Sequence, residues 1–263
     1  MPRWFQRLLR LGERVAGAPP SANGASSFHL RWEIAGRFRS AEVTLEVLEP
    51  PGVEALYFWA LQADFAERSG RHRGGAHLGL QWFAPHPGST AVNWGGYDDG
   101  GRELAGTDST LPSATGNRNT RDLAWSPGIA YRLRIERTGR VGDDPAWSGS
   151  VTPLAADRRT PSGPPIEVRR LVVPGGSEVT GCAVWSEVFA RCDDPSVAVR
   201  WSHPAVVGVD GRPAAPTAVT VSYQRHEDGG CANTDSSPDG VGVVQRTSVI
   251  RSSAPGTRLD VPF

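Results

Sequence analysis

The sequence predicts an all-β protein, a two-sheet antiparallel sandwich with a short helical extension at its N-terminus. Three observations point there. Short stretches alternate apolar and polar residues with period two, and turn residues separate them. Gly (31) and Pro (22) are abundant while hydrophobic residues make up 38% of the 263 positions, a composition that suits many short strands joined by tight turns. Only Met1 to Val15 places apolar residues at helical spacing.

Taken in order, Leu30, Trp32 and Ile34 form the apolar face of a first strand, and Val43, Leu45 and Val47 that of a second, which Pro50-Pro51-Gly52 stops. Ala55 to Phe65 is apolar almost throughout, as in a central strand buried on both faces. Ala76 to Phe83 follows. In Tyr131 to Arg137, residues Tyr131, Leu133 and Ile135 share one face and Arg132, Arg134 and Glu136 the other. Ile166 to Val173, Cys182 to Ala190, Val197 to Trp201 and Val219 to Tyr223 complete the set. Pro127-Gly128 ahead of Tyr131 is pre-organised for a type II turn. Two polar stretches, 93–120 and 228–240, read as loops, and the first is long enough to be functional or mobile.

The N-terminal stretch sets Trp4, Phe5, Leu8, Leu11 and Val15 among Arg3, Arg7, Arg10 and Arg14. It has no apolar run long enough for a secretory signal, so the default expectation is a cytoplasmic protein. As a basic amphipathic helix it would contact an anionic membrane or a protein partner; the simpler reading is a loosely docked leader. Residues 16–27 read as a linker, which gives an N-terminal segment over 1–27 and a single sandwich domain over 28–263.

Charge excludes some partners. There are 28 basic and 28 acidic residues, every basic one is Arg, and they are dispersed. A nucleic-acid binder would show a basic domain or stripe. No apolar run of about 18 residues exists to span a membrane. Three cysteines leave at least one unpaired within the chain. The simplest reading is three reduced structural thiols. Cys182 and Cys192 flank one strand, roughly 30 Å apart at ~3.3 Å per residue, so if a disulfide forms the pair is Cys192–Cys231.

The best candidate site lies on the strand around Glu187. Trp185, Glu187 and Phe189 alternate onto one face, and Val184, Val188 and Ala190 onto the core side. A carboxylate between aromatic residues suits a sugar, whose C–H faces pack on rings while its hydroxyls donate to the carboxylate. The alternative is ordinary packing, with Glu187 paired to an Arg. Gln81 shares a face with His77 and Phe83, and its amide offers both donors and an acceptor.

The order of Gly79-Leu80-Gln81, Val92-Asn93-Trp94, Trp125 to Arg132, Trp147-Ser148-Gly149 and Val184 to Phe189 resembles a bacterial family, domain of unknown function 3472. The resemblance covers roughly 30–204. It implies a concanavalin-like or jelly-roll sandwich, mostly exported and sometimes linked to carbohydrate-active modules. It also implies that Gln81, Trp94 and Glu187 occupy recurrent positions. The family has no settled activity, and this chain departs from its pattern in lacking a signal peptide and in the loop after Trp94.

No catalytic motif names a reaction. Glycoside hydrolysis needs two carboxyls about 5–9.5 Å apart. Glu42 and Glu46 lie about 13 Å apart along one strand face and read as solvated charges. Glu187 has no carboxyl neighbour on its strand, so a partner would have to come from elsewhere, such as Asp98 or Asp235. No cofactor is expected, although Asn233, Asp235 and Asp239 offer the oxygen ligands Ca²⁺ prefers. The leading expectation is therefore a non-catalytic carbohydrate-binding sandwich whose partner is a poly- or oligosaccharide. A hydrolase or lyase of unfamiliar signature is the second reading, and a scaffold docking through its N-terminus the third.

Overall fold

The structure, a computed structural model, describes residues 14–260. Its strands are β1 (Ser26–Trp32), β2 (Phe38–Glu49), β3 (Tyr57–Ala66), β4 (His72–Trp82), β5 (Thr90–Asp98), β6 (Thr120–Asp122), β7 (Ala130–Val141), β8 (Asp144–Pro153), β9 (Ile166–Val172), β10 (Glu178–Val188), β11 (Ala198–Gly208), β12 (Pro213–Ala214), β13 (Ala218–Tyr223), β14 (Thr234–Pro238), β15 (Val243–Thr247) and β16 (Arg258–Asp260). Of the helix expected over residues 1–15, residues 1–13 lie outside the described residues and 14–15 are not helical; among those described there is no α-helix.

Every strand pairing is antiparallel, and the strands form two layers. The front layer runs β16-β13-β1-β10-β3-β4-β5-β6 and the back layer β14-β15-β11-β2-β7-β8-β9, with β12 on the flank of β11. The ladder passes between the layers only at Val179–Phe38. Alternation explains the rest. Leu30, Trp59, Leu61, Leu78, Leu80, Val92 and Val184 from the front layer meet Val43, Leu45, Leu133, Ile135 and Val199 from the back in one buried cluster. Trp147 of β8 packs on Phe65 of β3, with ring centroids 4.8 Å apart, and its indole N–H reaches Gly176 O at 2.8 Å. Gln245 of β15 joins the layers through polar atoms: it accepts from Ser186 Oγ (2.8 Å) and donates to Phe28 O (3.0 Å).

Two loops of the sequence reading are partly strands. The stretch 93–120 begins inside β5, and its remainder seals an open edge of the sandwich. Leu104 N–H donates to Gly96 O of β5 (2.9 Å), and Val172 N–H of β9 to Ala105 O (2.8 Å). The stretch 228–240 contains β14, whose Ser and Thr side chains hid the strand pattern. Short polar edge strands carry little apolar alternation, so β6, β12, β14 and β16 escaped detection; the interior strands β5, β8 and β15 did too, their Gly, Ser, Thr and Gln residues breaking the apolar pattern. Glu46 also differs from the sequence reading. It is 6% exposed and lies between Arg158 (2.8 Å) and Arg200 (2.7 Å) on the outer face of the back layer.

Cys192 and Cys231 form a disulfide across 39 residues, while Cys182 is buried and free. The reading with three reduced thiols is thus corrected in favour of the Cys192–Cys231 pair. Burial, reinforced by Asp64, pushes the Cys182 thiol well above the usual range. Closing a loop of 39 residues restricts the unfolded chain by about 4 kcal/mol on the chain-entropy model. Cys231→Ser should lower stability by about that amount in urea unfolding; an unchanged midpoint would show that the crosslink restrains nothing.

Candidate functional site

The front layer has a second face, pointing away from the core. Register fixes what lies on it. One row across the strands reads Ser27, Glu187, Phe58, Gln81 and Ala91; the next His29, Trp185, Ala60, Gly79 and Asn93; the third Arg31, Ala183, Gln62, His77 and Gly95. Ala60 is a neighbour of Trp185 in its own row, and its small size leaves room for large rings. Trp185 fills that room. Its ring centroid lies 5.0 Å from Phe58, 5.6 Å from His77 and 6.1 Å from His29. Phe58 meets His77 edge-on at 5.5 Å. Phe58, Ala60 and Trp185 thus form a small apolar cluster separate from the main core, with Trp185 only 7% exposed.

Polar groups surround this apolar floor. Burial lowers the pKa of both imidazoles, His77 to about 4 and His29, with help from Arg31, also to about 4. Both rings are neutral at pH 7, so each offers one donor and one acceptor nitrogen. Burial pushes Glu187 upward, and a hydrogen bond from Asn23 opposes that shift. Asn23 Nδ2 donates to Glu187 Oε1 at 2.8 Å. Gln62 is committed to Asp64, Nε2 to Oδ1, at 2.9 Å. Gln81 is 7% exposed, yet its side-chain amide bonds no described residue. The Trp185 indole N–H is buried without an acceptor.

The structure therefore brings together Trp185, Glu187 and Gln81, as expected from their strand faces. Two other expected residues lie elsewhere. Trp94 is fully buried in the main core, against β8, where a Cβ on Gly149 would come within 2.6 Å of its ring. Its position in β5 gives it the parity of Val92, which faces inward, so it is corrected from a ligand contact to inter-sheet packing. Phe189 follows the end of β10, where its N–H donates to Leu56 O at 3.0 Å; it is outside the ring cluster.

The proposed calcium ligands are also occupied separately. Asn233 Nδ2 donates to Cys192 O (2.7 Å). Asp235 accepts from Ser252 N–H (2.8 Å), Ser252 Oγ (2.7 Å) and Ser253 N–H (3.1 Å). Asp239 pairs with Arg200 (2.6 Å) and accepts from Gly242 N–H (2.9 Å). These contacts make them structural groups rather than one oxygen cage. Among the described residues no group of three His, Cys, Asp or Glu could hold a metal ion. None of their helices is long and apolar enough to cross a membrane.

His29, Phe58, Gln62 and Asn23 were missed in the sequence. A polar residue inside an apolar strand was the available signal for Gln62. Asn23 had none, because it arrives from a segment read as a linker.

No protein-family model matches the chain, and no curated protein matches it. Among solved structures, it is similar to scytalido-glutamic peptidase with a peptide-based transition state analog, at 12% identity, covering 84% of this chain and 98% of that one with a TM-score of 0.45. SCP-B, an eqolisin-family peptidase in complex with the tripeptide Ala-Ile-His, has 13% identity, the same coverages and the same TM-score. Alginate lyase Aly36B has 9% identity, 66% and 83% coverage and a TM-score of 0.26. Likeness at this level assigns no activity to the chain.

Proposed function

We propose that this protein binds a neutral, hydroxyl-rich carbohydrate on the outer face of its front layer, without performing chemistry on it. The observation that carries the reading is a concentration of uncommitted polar groups. The Trp185 N–H is buried without an acceptor, and beside it stand the Gln81 amide and the half-buried His29 and His77 rings, none of which forms a side-chain hydrogen bond with a described residue. Elsewhere on the surface, charged side chains are extensively paired, as in the Arg134–Glu42–Arg132 ladder. A buried N–H such as that of Trp185 is costly unless something satisfies it. Sugar hydroxyls both donate and accept, and sugar C–H faces suit an apolar floor.

Two-carboxyl hydrolysis does not fit this face. Asp64 lies six residues along β3 from Phe58, the cross-strand neighbour of Glu187, about 20 Å at the strand rise. Glycosidases need about 5–9.5 Å. Asp98 is engaged by Arg102 and the Gly100 N–H, at 3.0 and 2.9 Å, and Asp235 by Ser252 and Ser253. A concanavalin-like sandwich, as the resemblance to domain of unknown function 3472 implies, belongs to the same proposal.

The test is incubation of the pure protein with soluble and insoluble polysaccharides, scoring retention and released sugars together. Retention by the wild type, weakened about tenfold in Gln81→Ala, is expected from losing a hydrogen-bonding amide in a sheltered site. No retention on any glycan would overturn the binding reading. Released sugars would overturn the non-catalytic one.

A further inference from the structure

We infer that Asn23 is the positioning residue of this site: its amide, carried by a segment that the Cys192–Cys231 disulfide holds in place, fixes the Glu187 carboxylate for the ligand. The role toward a ligand rests on the carbohydrate reading; the placement of Glu187 does not.

Asn23 is itself held from several sides. Gly24 N–H donates to Ser21 O at 3.0 Å and closes a tight turn, with Gly24 at φ +77°, a conformation that glycine adopts at no steric cost. Asn23 Oδ1 accepts from Ala25 N–H (3.2 Å), and the Ser21 hydroxyl, 3.0 Å from it, gives its one proton at closer range to Ala25 O (2.5 Å). With the oxygen turned toward Ala25 N–H, the NH₂ group is left to face Glu187 Oε1 at 2.8 Å. Glu187 Oε2 remains for a ligand hydroxyl, in a direction set by the held oxygen.

The segment leading to this turn is anchored at residues 14, 15 and 17. Ala232 N–H donates to Arg14 O (2.6 Å), and Cys192 N–H to Gly17 O (2.8 Å). Gly17 N–H donates to Asp193 Oδ1 (2.9 Å). Asn233 Nδ2 bonds both Val15 O (3.3 Å) and Cys192 O (2.7 Å). These anchors come from the two short loops that the disulfide joins, after β10 and before β14. The turn also sits close on Gly229, where a Cβ would come within 2.4 Å of the Ser21 nitrogen. Contacts at residues 14, 15, 17 and 21, joined by the chain between them, therefore link the disulfide to Asn23 and Glu187. Such outer contacts fix the direction of a binding group, as they do around ligated metals.

The experiment combines two readouts on Asn23→Ala: glycan retention, and the Glu187 pKa followed by carboxyl NMR. Retention should weaken about tenfold, the scale of one charge-assisted hydrogen bond. The Glu187 pKa should rise, because burial then acts without its opposing donor. Asn23→Asp should raise it further by placing a second carboxylate alongside. Asp193→Ala, an exposed anchor, and the double variant Cys192→Ser with Cys231→Ser should move Glu187 in the same direction. If Glu187 titrates unchanged in Asn23→Ala, the positioning role is overturned, whether or not any glycan binds. If it shifts in Asn23→Ala but not in folded Asp193→Ala or disulfide variants, the disulfide's part in it is overturned. If Glu187 shifts as expected while the wild type retains no glycan, Asn23 positions Glu187 and the carbohydrate reading alone fails.

Discussion

Stability is expected to fall steeply as pH drops from about 6.5 to about 4, with His29 and His77 as the main cause. Both rings have folded pKa values near 4 because burial disfavours their charged form, and Arg31 adds to the effect at His29. An unfolded histidine takes up its proton near pH 6.5. Between those values the unfolded chain holds more protons than the folded one, so acid favours unfolding. Each ring contributes up to about 3 kcal/mol at pH 4. The carboxylates held low, such as Asp122 beside His86 and Asp157 beside Thr160, lose their contribution only as pH falls below about 4, so the two windows separate. Urea midpoints measured from pH 7 to pH 4 should show the loss, and His77→Gln should flatten it. A midpoint constant over that range would mean that the two rings are not held neutral.

Glu187→Gln is expected to act in opposite directions on stability and on binding. Burial raises the Glu187 pKa, so the fold disfavours the charged form of this carboxylate. A glutamine of nearly the same shape removes the charge and can still accept from Asn23. The variant should therefore be at least as stable as the wild type at neutral pH. Any advantage should shrink as the solution is acidified and Glu187 takes up its proton. Binding should weaken about tenfold, because hydrogen bonds to an ionised acceptor are roughly twice as strong as neutral ones. A loss of stability at pH 7 would instead make Glu187 a structural ion and remove it from the site. Residues kept for a ligand at the expense of stability are a common feature of binding sites.

The fold class was legible because a half-buried strand must alternate, as β1, β2, β4, β7, β9, β10, β11 and β13 do, while β3 is apolar almost throughout. Some edge strands are written in polar residues even where they are buried and so carry no such pattern; β14, written Thr-Asp-Ser-Ser-Pro with its first three residues buried, is the clearest case. Half of the candidate site was legible for the same reason. Period two placed Trp185 and Glu187 together on β10, and Gln81 with His77 on β4. Neighbours across strands were not legible, because register is a tertiary property. Nothing local to Phe58 or His29 says that each will meet Trp185. Trp94 was misjudged because a tryptophan reads alike in a core and in a binding face; only its parity with Val92 on β5 separates the two. Asn23 was invisible because its position depends on a disulfide joining residues 39 apart.

The central claim is that the outer face around Trp185 is where a ligand binds, and amide and indole NMR of the ¹⁵N-labelled protein tests it most directly. Soluble oligosaccharides would be titrated in while the tryptophan indole N–H signals are followed. The expected result is a saturable shift of the Trp185 indole, on the outer face, while the indoles of Trp94 and Trp147 in the main core stay still. A titration in which Trp185 never moves, or in which a glycan perturbs only residues away from His29, His77, Gln81 and Glu187, would contradict it.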